Sequence, residues 1–171
     1  MTKWMVGIWF VCCLAGLSIV SVKQLVDYDP DLKLSAAISD IGFELAFTDQ
    51  LSQNHSEIGR SVVHFSDSNC FCTTLADAHI TQLSNTMQKQ GFANIHVNIN
   101  EAPEFAKFIP SIPSVAIIGK EQELIYLGPY SVGYGCLTGT GLVDAILPKA
   151  ISPNVENTLL ITDAKGCYCS T

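Results

Sequence analysis

The sequence is poor in positive charge: nine Lys and Arg stand against sixteen Asp and Glu in 171 residues. Two of the nine, Lys3 and Lys23, flank an apolar run, so the rest of the chain sets seven cations against sixteen acids. Such a surface repels phosphate backbones and anionic head groups, and no basic stripe relieves it, which argues against nucleic acid as a partner. A phosphate-binding loop is also missing. Gly133, Gly135, Gly139 and Gly141 fit neither the dinucleotide fingerprint nor the P-loop lysine motif, so they read as a turn, and no cofactor is assigned. There is no internal repeat apart from a Cys-aromatic-Cys triplet that occurs twice.

What is present begins with the run Trp4 to Val22, nineteen residues without a charge. That is close to the length a helix needs to cross a bilayer, and longer than the apolar part of a signal peptide. The expectation is an uncleaved N-terminal transmembrane helix over residues 1–22, with a cleaved signal sequence as the alternative. Lys3 before the run and Asp27, Asp29 and Asp31 after it orient the remainder outward. The expected location is therefore a single-pass protein of the bacterial inner membrane with its C-terminal domain in the periplasm, where disulfides persist.

Five of the seven cysteines lie beyond this run: Cys70, Cys72, Cys136, Cys167 and Cys169. Cys12 and Cys13, inside it, read as packing residues. An odd number leaves one thiol unpaired unless it meets metal or another chain.

Residues 23–59 read as a tether and an accessory helix. Val62 to Phe65 is a short buried strand, and Ser66-Asp67-Ser68-Asn69 carries turn and helix-start signals. Ala76, Ile80, Leu83 and Met87 form a helical stripe ended by Gly91. Ile95, Val97 and Ile99 alternate as in a strand. Val115–Ile118 and Leu124–Leu127 read as an antiparallel hairpin, Leu142–Leu147 as a last helix stopped by Pro148, and Thr158–Thr162 as a further strand.

Cys70-Phe71-Cys72 thus falls where a strand hands over to a helix. A thiol there faces unpaired N–H groups and the positive end of the helix dipole, which favour the reactive thiolate. Asp67 opposes this, with no Lys or Arg between Arg60 and Lys89 to offset it. Residues two apart on a helix point to nearly opposite sides, so Cys70 and Cys72 can bond only if the helix starts at or after Cys72. Thr74, with Asp77 three residues on, supplies such a start. The closed ring would be small and readily reduced.

In this order of elements, residues 60–150 resemble the thioredoxin-like superfamily. The resemblance implies an α/β fold, a central mixed sheet flanked by helices. Cys70 falls where that family has its nucleophilic cysteine, and Ile112-Pro113-Ser114 where it has its cis-proline loop. It implies catalysis by Cys70 and Cys72, with Ile112 and Pro113 binding an extended peptide substrate. Thr73 stands at the spacing of the usual second cysteine, and Asn69 replaces the usual tryptophan. The whole chain also resembles small membrane-anchored bacterial proteins of this superfamily.

The expected function is that of a thiol-disulfide oxidoreductase or isomerase whose partners are protein thiols or disulfides, or a membrane or periplasmic redox partner. Two alternatives stay open. One is a thiolate module for Zn or Cu that uses both Cys-x-Cys pairs; the other is a non-catalytic scaffold with structural disulfides. In the C-terminal extension, residues 151–171, Cys167 and Cys169 form a possible secondary thiol pair that could bridge locally, bond to Cys136, stay flexible or relay electrons to Cys70 and Cys72. No metal ligand is assigned, and His64 and His79 are secondary candidates for a base or a ligand.

Overall fold

A computed structural model of the chain describes residues 2–23, 25–135, 141–150 and 158–171. Cys136 and Gly139 therefore lie outside the described residues.

The first helix, α1, runs Thr2–Lys23. Among the described residues, however, no helix is long and apolar enough to cross a membrane. This overturns the expected transmembrane helix, and with it the single-pass inner-membrane placement with a periplasmic domain.

The body is a mixed α/β structure around one five-stranded sheet. Its strands are β2 (Ser61–Ser66), β3 (Ala93–Asn98), β5 (Ser114–Ile118), β6 (Leu124–Pro129) and β7 (Leu159–Leu160), in the order β3-β2-β5-β6-β7. β2 runs parallel to β3 and antiparallel to β5, and β5 and β6 form the expected hairpin. The parallel pair requires a long crossover, which α4 (Phe71–Lys89) supplies. α4 ends where Gly91 was expected to end it: Gly91 has φ +80°, and its N–H and that of Phe92 donate to Gln88 and Met87. Only glycine takes that left-handed position without penalty.

Successive residues of β2 point to opposite faces of the sheet. Val62 joins Ala76, Ile80, Leu83 and Met87 of α4 in one core. Val63 and Phe65 join the other, built on Phe43, Phe47 and Leu51 of α3 (Phe43–Asn54) together with Phe105, Phe108, Tyr28 and Tyr168. The single accessory helix expected within residues 23–59 is in fact two, α2 (Lys33–Ala37) and α3, broken around Gly42. The C-terminal helix is likewise a 3-10 turn, Val143–Ala145, followed by Leu147–Ala150. Pro148 sits inside its first turn rather than ending it, since a first-turn N–H has no helical partner to lose.

His64, in the middle of β2, is buried on the α4 side. Asn94 gives its amide nitrogen to the Ser84 carbonyl, so its oxygen accepts from His64 Nε2 at 3.0 Å. Nδ1 is thereby left to accept from the Tyr130 hydroxyl. Burial, partly offset by Asn94, pushes the His64 pKa down to about 4. Below the ordinary value near 6.5 the unfolded chain takes up a proton that the folded chain refuses until about pH 4. Stability carried by neutral His64 is thus complete above pH 6.5 and lost as pH falls toward 4, by roughly 3 kcal/mol. Denaturant titrations of the parent and His64→Gln across this range should show that excess acid loss in the parent alone.

Candidate functional site at the strand-to-helix junction

Ahead of α4 the chain turns on Asp67, whose carboxylate accepts from the Asn69 backbone N–H at 2.9 Å. Its carbonyl accepts from Cys70 N–H at 3.2 Å. Cys70 is the N-cap residue of α4, extended at φ −87° and ψ 114°, with no side-chain cap. Its carbonyl accepts from the N–H groups of Thr73 and Thr74. The helix thus starts at Phe71, not at Thr74 as the capping signal suggested. Cys72 is thus the second residue of α4, inside its first turn, and no bond joins it to Cys70.

Both sulfurs are instead bonded to the C-terminal pair. Cys70 is joined to Cys169 and Cys72 to Cys167. A Cys70–Cys72 bridge, and the local option among those open to Cys167 and Cys169, are both replaced by these nested bonds. The Sγ atoms of Cys70, Cys72 and Cys169 lie within 4.8 Å of one another. Cys70 and Cys72 are 3% and 8% exposed, whereas Cys167 and Cys169 are half-buried.

Facing Cys70 is the loop of Ile112 and Pro113. The Ile112–Pro113 peptide is cis, and the Ile112 carbonyl oxygen lies 3.8 Å from Cys70 Sγ. In the disulfide state that sulfur carries no hydrogen, so this is a contact; as a thiol it has an acceptor there. All six sequence-nominated residues, Cys70, Cys72, Ile112, Pro113, Cys167 and Cys169, therefore meet in one place.

The site also contains parts that the sequence reading missed. The short strand β4 (Ser111–Ile112) pairs antiparallel with β9 (Cys169–Ser170), Ile112 opposite Cys169. Strand β8 (Lys165–Gly166) pairs with β1 (Val26–Asp27). Between them Tyr168 is buried, its hydroxyl donating to the Ser131 carbonyl at 2.6 Å and its ring edge-on to Tyr28 at 5.4 Å. The Tyr28 hydroxyl is paired with Ser114 Oγ at 2.7 Å, and burial pushes its pKa upward, so it stays protonated at neutral pH. Two-residue strands are too short for alternation to reveal; only the recurrence of Cys-aromatic-Cys was a signal for them.

The two histidines are committed elsewhere. His64 belongs to the Tyr130 and Asn94 network, and His79 is fully buried with Nε2 2.9 Å from Asp144. Both sit with residues of the α4-side core, across the sheet from the cysteines.

Residues 43–171, about three quarters of the chain, match a family described as a domain of unknown function, DUF6436. The matched segment excludes α1 and includes all four bonded cysteines and Pro113. No curated protein and no solved structure matches the chain.

Proposed function

We propose, for a chain that belongs to the DUF6436 family of domains of unknown function, that it exchanges disulfides with other polypeptides through Cys70 in a thioredoxin-like arrangement. One observation carries this reading: a cysteine at a helix N-terminus, facing a cis-proline loop, is joined to a cysteine of a paired extended strand. The bonded pair has the form of a mixed disulfide between such a site and a peptide.

When Cys70 is reduced, the α4 N-terminus stabilises its thiolate. That thiolate attacks one sulfur of a substrate disulfide; the new S–S bond forms as the old one breaks, and the departing thiolate takes a proton from water. Cys169, whose sulfur lies within 4.8 Å of those of Cys70 and Cys72, then displaces the substrate thiolate and closes the internal Cys70–Cys169 disulfide. The substrate disulfide is reduced by two electrons and the cysteine pair is oxidised by two. Ile112 supplies main-chain groups for an extended substrate, and Pro113 shapes the loop that presents them.

Counting thiols by mass shift across a series of glutathione poises tests this. The Cys70–Cys169 pair should titrate reversibly, and Cys70→Ser should lose that step. A Cys70→Ser protein that titrates like its parent removes the reading.

One observation favours a second reading, thiolate metal binding. Sulfurs around a tetrahedral Zn²⁺ sit about 3.8 Å apart, and three here lie within 4.8 Å. On this reading the reduced full chain, exposed to zinc and desalted, retains about one equivalent. Less than about a tenth of an equivalent by elemental analysis rules it out.

A further inference from the structure

The strand bonded to Cys70 belongs to the same chain, and this says more than that Cys70 is reactive. β9 adds to β4 as an extended peptide adds to a free sheet edge. Thr171 N–H donates to the Pro110 carbonyl at 3.2 Å, and its hydroxyl donates to the Ile109 carbonyl at 2.6 Å. Antiparallel alternation then makes Ile112 and Cys169 the next closely bonded pair. The Cys169 side chain points inward to Cys70, while Tyr168, one residue earlier, points the other way into its own buried seat. The Cys72–Cys167 bond fastens the strand a second time, two residues away. Beside these bonds a cavity of about 320 Å³ opens, lined by Asp67, Asn69, Cys70, Ile112, Cys169 and Ser170.

We propose that residues 166–171 are a built-in substrate strand that closes the Cys70 site to other chains while the two disulfides stand. On this account an external dithiol opens the site by reducing them. The inference rests on the thiol-exchange reading of Cys70.

The direction of attack follows from exposure and leaving-group chemistry. Cys169 is the more exposed partner, and Cys70, at the helix N-terminus, is the better leaving group. One thiolate of the dithiol attacks Cys169 Sγ; a bond to Cys169 forms, the Cys70–Cys169 bond breaks, and the electron pair leaves on Cys70. The second thiol of the dithiol, deprotonated to water, attacks the first at its own sulfur. This closes the external disulfide and releases Cys169 as a thiolate. The dithiol has lost two electrons and the pair has gained two. The same sequence at Cys72–Cys167 frees the strand, leaving β4 uncovered beside a reduced Cys70.

Two full-length variants separate closure from reactivity. In Cys169→Ser, Cys70 is a thiol but Cys72–Cys167 still holds the strand; in Cys167→Ser with Cys169→Ser nothing holds it covalently. The probe is a fluorescein-labelled extended octapeptide whose single cysteine carries glutathione, with glutathione disulfide as the small comparison reagent. The double variant should capture the peptide on Cys70 at least tenfold faster than the single variant, while glutathione disulfide reacts with both. Equal peptide capture, with glutathione disulfide still reacting, overturns the closure and spares the exchange reading. A Cys70 that reacts with neither reagent in either variant overturns the exchange reading itself. Hydrogen exchange on the unaltered chain guards against misfolded variants. Reduction should speed exchange of the Ile112 and Thr171 amides at least tenfold and leave Val115–Ile118 protected; unchanged Ile112 and Thr171 also overturn the closure.

Discussion

Removing one of the two disulfides is expected to cost about 2 kcal/mol of folding free energy, and removing both roughly 7 kcal/mol. The difference comes from loop closure. The bonds join residues 99 and 95 apart, so whichever remains already ties the two distant segments together. With one in place, the other closes a further ring made only of residues 70–72 and 167–169. In the chain-entropy account a ring of six residues contributes about 2 kcal/mol and one near a hundred residues about 4.7 kcal/mol. Denaturant unfolding of Cys70→Ala with Cys169→Ala, of Cys72→Ala with Cys167→Ala, and of the fourfold variant measures all three terms. If the two single-bond losses simply add up to the fourfold loss, this account of the paired bonds is wrong.

Phe47→Ala should be the most damaging single core truncation, at about 3–5 kcal/mol. Phe47 is fully buried, and its ring lies 5.4 Å from Phe108, 6.2 Å from Phe65, 6.4 Å from Phe105 and 6.5 Å from Phe43. It links α3, β2 and the 3-10 turn Pro103–Lys107 on the face of the sheet that also carries Cys70 and Cys72. Truncation leaves a hole among four rigid rings that cannot close without moving them. Phe47→Leu, which keeps most of the volume, should cost under about 1.5 kcal/mol. Urea midpoints for the two variants check the contrast, and a loss below about 1 kcal/mol for Phe47→Ala would show that this face repacks.

Elements whose periodicity is long enough to repeat were legible in the chain. The α4 stripe, the β2 run and the β5–β6 hairpin each bury a face of several residues, and the pattern of apolar side chains reports that face directly. Apolarity alone is a poorer guide in α1: the run Trp4 to Val22 has the composition of a span, yet no helix of the described residues is long and apolar enough to be one. The helix start was misplaced because Thr74 and Asp77 mimic a capping box, while Cys70, with no side-chain cap of its own, holds the position. His64 and His79 carried no sign of their neighbours, since Tyr130 and Asp144 are more than sixty residues away in sequence.

By itself the sequence determined which residues form the site: a cysteine ahead of an amphipathic helix, a proline before a buried strand, and a second cysteine pair near residue 170. It did so because helix stripes, strand runs and turn residues act over a few neighbours. Only the tertiary structure decided which sulfur bonds which. That choice depends on β9 lying against β4 and on Tyr168 filling its seat beside Tyr28, contacts between segments about sixty and 140 residues apart. No local pattern encodes them, because two-residue strands bury too little to leave a periodic trace, and a disulfide forms wherever packing of the whole chain brings two sulfurs together.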